Sequence, residues 1–234
     1  MWITGSSQGL GKALAELFLK EGHQVIGLSR SCRIEHANYR HIALDLSSLD
    51  ALKSIEFDME DDFEAFILIN NAASVEPIKH FENIDAEEIT ENFQLNTIAP
   101  AVLANSFIKS PCNEKSKKYV LNIGTGAASN PMDGWSLYCS SKAAINMLSA
   151  VYQKEKDLNG NKTKMVTLAP GIIDTPMQEK IRSSSEKNFS NVARFTFYHK
   201  NKQLSSPISA AKKIIANFER IFDKDLPNQS IRDY

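Results

Sequence analysis

Short apolar runs alternate with segments of helical periodicity along the chain. The apolar runs are "MWIT", "QVIGLS", "HIALDL", "AFILIN", "KYVLNIG" and "KMVTLAP", and each has the length of a buried strand. After the first run, Leu10, Ala13, Leu14 and Leu17 recur at the spacing of one helical face. Apolar strands that alternate with helices are typical of a parallel sheet with helices on both faces. The pattern therefore predicts one α/β domain over residues 1–234, a doubly wound parallel sheet in three layers (α/β/α).

Longer helices are predicted from the periodicity over residues 47–57, 87–110, 136–158 and 209–222. Pro100 lies inside the second of them and has no N–H, so it should bend that helix or break its hydrogen-bond ladder. The final "QSIRDY" predicts a short closing strand. The acidic run 58–64, "DMEDDFE", matches no calcium-loop spacing, so a solvated helix end is the preferred interpretation.

Residues 178–206 depart from this rhythm. The segment combines a run of three serines with several aromatic side chains: Phe189, Phe195, Phe197 and Tyr198. It is too polar and irregular to be expected in a core, and it follows a strand end, where ligands bind in open α/β sheets. The sequence predicts a mobile lid here.

Composition narrows the classes of function. The 234 residues carry a net charge of −1, so electrostatics give no reason to expect nucleic acid or an anionic membrane as a partner. No apolar run approaches the ~20 residues that span a bilayer, and the start lacks a signal-peptide pattern. Three widely spaced cysteines predict reduced thiols in a cytoplasmic protein. The five histidines form no HExxH or Cys/His motif, so no metal site is expected.

The stretch "TGSSQGLG" places Gly5, Gly9 and Gly11 between the first strand and the first helix. Glycines there permit a tight turn and a close approach to a pyrophosphate, while the helix N-terminus offers free N–H groups. The spacing is GxxxGxG and differs from the GxGxxG fingerprint, and a plain strand–turn–helix corner also uses glycine. Its position at the first βα turn favours a dinucleotide site in a Rossmann-like fold.

The end of the second strand should discriminate between the two nicotinamide cofactors. Where an acidic residue would bind the ribose 2′-hydroxyl of NAD, this chain has Ser29 followed by Arg30. A guanidinium can bind a 2′-phosphate that a carboxylate would repel. The sequence therefore favours NADPH/NADP⁺ over NADH, with an ordinary surface arginine as the alternative.

Tyr138 and Lys142 stand four residues apart in a predicted helix, so both lie on one helical face. The same spacing occurs at two other places, Tyr152 with Lys156 and Tyr198 with Lys202. Only the first pair follows a strand whose end carries another hydroxyl, that of Thr125. A neighbouring ammonium favours tyrosinate, and lowering the phenol pKa from about 10 towards 7 requires roughly 4 kcal/mol. Tyr138 is therefore the candidate proton donor, and Lys142 is its partner.

Ordered motifs support a more specific identification. They are "TGSSQGLG", Asp45 in "ALDLSS", "NNAA" at 70–73, Asn96 in "QLNTIAP", "YCSSK" and "PGIIDTPM". Over essentially its full length the chain resembles the short-chain dehydrogenase/reductase family. The resemblance implies a catalytic tetrad of Asn96, Thr125, Tyr138 and Lys142. It also implies that the tyrosine and lysine contact the cofactor together with Gly5, Ser7, Gly9, Leu10, Gly11, Ser29, Arg30, Asp45, Leu46, Asn71, Ala72, Pro170, Gly171, Ile173 and Thr175.

In the implied reaction a hydride passes from NADPH to a carbonyl carbon and Tyr138 supplies the proton. Lys142 would hold the ribose, and Asn96 would position a water, although a structural role near Pro100 is the alternative for Asn96. The chain departs from the family at Thr125, where serine is usual, and at Ala73, where glycine is usual. Threonine keeps the hydroxyl that would stabilise an oxyanion.

Within the family, three stretches most resemble the benzil reductases that form (S)-benzoin, relatives of sepiapterin reductase. Met132, Trp135, Met177 and Phe195 would then form an apolar site suited to an aromatic α-diketone. A 3-oxoacyl chain and a pterin carbonyl are alternative substrates, and a non-catalytic NADP(H) sensor is the alternative from another class. A homodimer through helices 87–110 and 136–158 is also expected.

Overall fold

The computed structural model describes residues 1–59, 62–224 and 226–234. Seven parallel strands form one sheet in the order β3-β2-β1-β4-β5-β6-β7. They are β1 Trp2–Thr4, β2 Val25–Ser29, β3 Tyr39–Ala43, β4 Ala65–Asn70, β5 Lys117–Ile123, β6 Lys164–Ala169 and β7 Asn228–Ser230. The strand order reverses between β1 and β4, as in doubly wound sheets. The predicted Rossmann-like single domain is confirmed, including the short closing strand.

Helices cover both faces of the sheet. In chain order they are α1 Gly9–Lys20, α2 Leu49–Lys53, α3 Ala86–Phe93, α4 Ala99–Lys109, α5 Ser136–Asn159, α6 Pro176–Arg182, α7 Val192–Lys200, α8 Pro207–Ala216 and α9 Phe218–Asp223. Alternate residues of a strand point to opposite faces. In β4, Ile67 and Ile69 pack with α1, α8 and α9, whereas Leu68 packs with α2 and α4. β4 is therefore buried on both faces. The edge strand β3 is only partly buried, and it begins two residues before the predicted run "HIALDL".

The helix predicted over 87–110 is interrupted. A π-helical turn, Gln94–Ile98, separates α3 from α4, and the N–H of Ala99 bonds the carbonyl of Gln94, five residues back. Pro100 has no N–H to offer the carbonyl of Asn96 four residues earlier. The expected disturbance by Pro100 is present, and it takes the form of one wide turn.

Two other helices are shorter than predicted. The 47–57 helix reduces to α2, which ends at Lys53, and residues 54–59 continue without helical structure. The acidic run 58–64 is therefore not a helix end in its described part, and Glu60 and Asp61 lie outside the described residues. The 209–222 helix divides at Asn217, whose side-chain amide bonds the carbonyl of Lys213.

The 178–206 segment is more ordered than predicted. It carries most of α6 and all of α7, and Phe189 and Phe195 are buried. They pack with Trp135 and Tyr138 in a third apolar cluster, separate from the two on the faces of the sheet. The expectation that the segment is too polar for a core was wrong, because its few apolar side chains are gathered on one side. That the segment moves as a lid stays a prediction.

Among the described residues, no helix has the length and apolar character needed to cross a membrane. The cysteines Cys32, Cys112 and Cys139 are unpaired.

Candidate active site

A cleft of about 1540 Å³ opens at the carboxyl ends of the strands. Its walls come from the loops after β1, β2, β3, β4, β5, β6 and β7 and from the 178–206 segment. All of the predicted site residues line it except Gly11 and Asn96. One cavity therefore holds the predicted cofactor, catalytic and substrate residues together.

The glycine loop forms one end of this cleft. Gly5 and Gly9 have φ values of +67° and +57°, a conformation that side chains with a Cβ rarely adopt. Gly11 lies behind the loop, where an added Cβ would stand 2.4 Å from both the carbonyl of Gly5 and Nδ2 of Asn71. The third glycine therefore serves close packing of the loop rather than direct contact with a ligand.

The end of β4 is fastened to the same loop. Oγ1 of Thr4 accepts hydrogen bonds from the N–H groups of Asn71 (2.9 Å) and Ala72 (3.0 Å). Nδ2 of Asn71 donates to the carbonyl of Thr4 at 3.0 Å. These bonds fix the spacing between the glycine loop and the middle of the cleft.

The end of β2 brings positive charge to the cleft. Arg30 is exposed at the cleft wall, and Arg33, which the sequence analysis missed, lies at the same wall. The pKa of Asp45 is lowered, chiefly by hydrogen bonds from the hydroxyl and N–H of Ser47, with a smaller contribution from the charge of Arg30. Arg33 follows Arg30 by three residues in the coil after β2, and no local pattern predicts that this coil lines the cleft.

Tyr138 lies in the first turn of α5, close to Thr125 after β5. Burial raises the pKa of Tyr138 to about 12, and a hydrogen bond with the Thr125 hydroxyl partly opposes this shift. The predicted lowering of the phenol pKa by Lys142 is not observed, because desolvation dominates. At neutral pH the phenol keeps its proton, as a proton donor requires.

Lys142 lies one helical turn further along α5. Its ammonium is buried and donates a hydrogen bond of 2.9 Å to the carbonyl of Ile123, the last residue of β5. Burial lowers the pKa of Lys142 to about 8. The side chain remains mostly charged at neutral pH and is held at the edge of the cleft.

Asn96 lies in the π-turn with its side-chain amide fully engaged. Its Oδ1 accepts from the N–H of Ser74 (2.9 Å), and its Nδ2 donates to the Ser74 carbonyl (2.8 Å). Nδ2 also lies 3.3 Å from Oγ of Ser141, whose hydroxyl donates to the carbonyl of Tyr138. The side chain is thus tied to the loop after β4 and to the turn that carries Tyr138, and the bonds to Ser74 and Ser141 lie elsewhere than the alternative cap near Pro100. That Asn96 positions a water for the reaction stays a prediction.

The tyrosines of the other two tyrosine–lysine pairs do not line the cleft, although Tyr198 packs behind Phe195 of its wall. The hydroxyl of Tyr152 bonds Oδ1 of Asn161 at 3.2 Å, and that of Tyr198 accepts from Nε of Arg194 at 2.6 Å. Neither tyrosine contributes to the cleft wall. Spacing alone did not distinguish the three pairs, whereas position in the fold does.

The predicted substrate residues form the apolar end of the cleft. Trp135 stacks on Phe189 with ring centroids 4.8 Å apart and meets Tyr138 edge to face at 5.6 Å. Met132, Met177 and Phe195 complete this wall. Phe189 is fully buried against Trp135 and does not itself line the cleft, so it supports this wall from behind. The site is flat and aromatic beside the phenol.

Within the described residues, no group of three or more His, Cys, Asp or Glu side chains is arranged to hold a metal ion.

Known proteins are similar to this chain in both sequence and fold. A family model described as short chain dehydrogenase matches residues 1–186. Benzil reductase ((S)-benzoin forming) of Bacillus subtilis (strain 168) is 37% identical over 227 residues, covering 93% of this chain and 92% of that protein. The protein of the same name from Bacillus cereus is 36% identical over 225 residues, covering 91% and 90%. The crystal structure of the KRED1-Pglu enzyme aligns over 98% of both chains with a TM-score of 0.82 and 26% identity. The chain therefore belongs to the short-chain dehydrogenase/reductase family.

Proposed function

We propose that the protein is an NADPH-dependent carbonyl reductase that acts on an aromatic α-diketone, with Tyr138 as the proton donor. One observation carries the proposal. Tyr138 and Thr125, whose hydroxyl groups are hydrogen-bonded, line the same cleft as the glycine loop and the aromatic side chains of Trp135 and Phe195. A ketone against the aromatic wall would lie beside a proton donor and next to the dinucleotide site.

The residues at the loop fit the nicotinamide dinucleotides that this family uses. Left-handed Gly5 and Gly9 leave the loop backbone open to a pyrophosphate. A Cβ on Gly9 would stand 3.3 Å from Cγ2 of Thr175, so a larger residue there would narrow the passage between the loop and the β6–α6 connection. When bound, the reduced nicotinamide supplies the hydride.

Each catalytic side chain has a distinct task in the proposed reaction. Tyr138 gives its proton to the carbonyl oxygen while the carbonyl carbon becomes a C–H, so the ketone is converted to an alcohol. Thr125 donates a hydrogen bond to the same oxygen and stabilises the charge that develops there. Lys142, held by the carbonyl of Ile123, would bind the ribose hydroxyls of the cofactor.

Preference for NADPH rests on the charges at the end of β2. Arg30 and Arg33 lie at the cleft wall where a 2′-phosphate would reach, and Ser29 occupies the position of the NAD-selecting carboxylate. Arginine binds a phosphate with two parallel hydrogen bonds and keeps its charge at all physiological pH values. NADH lacks the 2′-phosphate, so Arg30 and Arg33 would not strengthen its binding.

The substrate class rests on the aromatic wall and on the named relatives. Trp135 and Phe195 give the cleft wall flat apolar surfaces, which suit aryl groups. The relatives from Bacillus subtilis and Bacillus cereus are named as benzil reductases. A homodimer and a cytoplasmic location, the latter consistent with unpaired cysteines, belong to the same proposal.

NADPH oxidation should be measured across a panel of aromatic diketones, pterins and acyl thioesters. We expect the highest kcat/KM with benzil or a related diketone, and higher activity with NADPH than with NADH. Tyr138→Phe should bind NADPH as tightly as the wild type and lose turnover by on the order of 10²–10⁴-fold. Unchanged turnover in that variant would exclude Tyr138 as the proton donor. Absence of NADPH oxidation with every compound of the panel would exclude the reductase assignment.

A further inference from the structure

A cluster of hydroxyl groups lies behind the glycine loop, and of its three residues only Ser29 lines the cleft. Ser6, in the loop, is fully buried. Its Oγ lies 3.1 Å from the hydroxyl of Tyr39 on β3 and 3.4 Å from Oγ of Ser29 at the end of β2. Three segments of the chain therefore meet at one buried side chain, and none of the catalytic residues takes part.

The side chain of Tyr39 reaches the glycine loop because one residue of β2, Gly27, has no side chain. Tyr39 is paired with Val25 in the sheet, and its side chain extends along β2 past Gly27 to reach Ser6. A Cβ on Gly27 would stand 1.9 Å from the Tyr39 hydroxyl and 2.4 Å from Oγ of Ser6. Glycine in a strand interior marks a place where another group approaches closely. The absence of a side chain at Gly27 thus leaves room for the contact between Tyr39 and Ser6.

The cluster connects the two regions that would bind a dinucleotide, the glycine loop and the end of β2. Ser6 lies between Gly5 and Ser7, which line the cleft at the loop, and Ser29 precedes Arg30. The Ser29 hydroxyl donates to the carbonyl of Ser31 at 2.9 Å, which shapes the chain around Arg30. The pKa of Tyr39 is raised, mainly by burial, so its hydroxyl stays protonated and able to donate at neutral pH.

We propose that Tyr39 is a positioning residue of the cofactor site, which holds the glycine loop in its binding conformation through Ser6. The inference rests on the proposed function, because it requires the loop to bind a dinucleotide. Without this hydrogen bond the loop samples other arrangements, and only the fraction in the binding conformation takes up the ligand. The loss should therefore appear in affinity and not in the rate of the chemical step.

Tyr39→Phe tests this, because it removes only the hydroxyl. Calorimetry with 2′-phospho-ADP-ribose, which has the pyrophosphate and 2′-phosphate but no nicotinamide, reports binding without turnover. We expect Kd to rise about fivefold, the effect of one hydrogen bond of roughly 1 kcal/mol, with kcat at saturating NADPH unchanged. Tyr119→Phe, at a partly buried tyrosine on β5, is the matched control and should leave Kd unchanged.

Ser6→Ala provides a second route to the same answer and covers the case of a poorly folded Tyr39→Phe. It should raise Kd at least as much, because it removes the contact with Ser29 as well as that with Tyr39. The double variant should bind no more weakly than Ser6→Ala alone, because the contact between Ser6 and Tyr39 is already lost there. Unchanged Kd in both single variants, or fully additive losses, would overturn the proposal. Failure of the wild type to bind the probe would overturn the proposed cofactor site along with it.

Discussion

The ammonium of Lys142 donates a hydrogen bond of 2.9 Å to the backbone carbonyl of Ile123. This bond joins α5 to the last residue of β5, two residues before Thr125. It holds a charged group where burial lowers its pKa to about 8, whereas the nearby Tyr138 stays protonated up to about pH 12. Of these two side chains, the lysine is the one that titrates near physiological pH.

This difference predicts how cofactor binding depends on pH. Lys142 is charged below about pH 8 and loses its proton above it, so its grip on the ribose should weaken as pH rises. kcat/KM for NADPH, which reports the free enzyme, should be flat from neutral pH to about 8 and then fall by about tenfold per pH unit. Lys142→Arg, if it binds NADPH, should show no such fall. A flat profile to pH 10 in the wild type would contradict the assignment.

Thr125 should be replaceable by serine but not by alanine. Its hydroxyl bonds Tyr138, and its Oγ1 accepts from the N–H of Ala127 at 3.2 Å. Serine keeps the hydroxyl, so Thr125→Ser should retain most of the wild-type kcat. Thr125→Ala should lower kcat on the order of 10²-fold, as loss of an oxyanion donor does. Steady-state kinetics with benzil would show this, and equal rates in all three proteins would remove Thr125 from the mechanism.

Cofactor selectivity should depend on Arg30. Arg30→Ala should lower kcat/KM for NADPH by about tenfold or more, since a hydrogen bond to a charged group contributes roughly 1.5–3 kcal/mol. Activity with NADH should change little. Arg33→Ala is the informative comparison, because Arg33 lies at the same wall. If neither variant alters the NADPH to NADH ratio, the 2′-phosphate is bound elsewhere.

An exposed apolar stripe on α5 should mediate the proposed dimer. Met147 is 65% exposed and Val151, one turn later, is 43% exposed. Val151→Glu would place a charge in this stripe and should halve the mass measured by sedimentation. Ile208→Glu, at an equally exposed position on α8, should leave the mass unchanged. A monomeric wild type at the same concentration would contradict the prediction.

Much of the fold could be predicted because parallel strands are buried on both faces. The run "AFILIN" is apolar throughout for that reason, and it forms β4 as expected. The π-turn after α3 was not predictable, because one extra residue in a turn barely alters the apolar period. Only Pro100 marked the place.

The parts of the site that depend on contacts between residues far apart in the sequence could not be predicted. Tyr39 and Ser6 are separated by 33 positions, and the local trace of their contact is the glycine at position 27 in a strand. The high pKa of Tyr138 follows from desolvation, which spacing to a lysine does not reveal. Motif order placed the reactive residues, whereas burial determined their acidity.

Tyr138 belongs to the third apolar cluster together with Trp135 and Phe195, which also line the cleft. The side chains that would recognise the ketone are therefore also those that keep water from the phenol. Replacing them with smaller residues to admit a bulkier ketone would hydrate Tyr138 and make it a stronger acid. Selectivity and acid strength are coupled in this enzyme, and a change in one during divergence or redesign brings a change in the other.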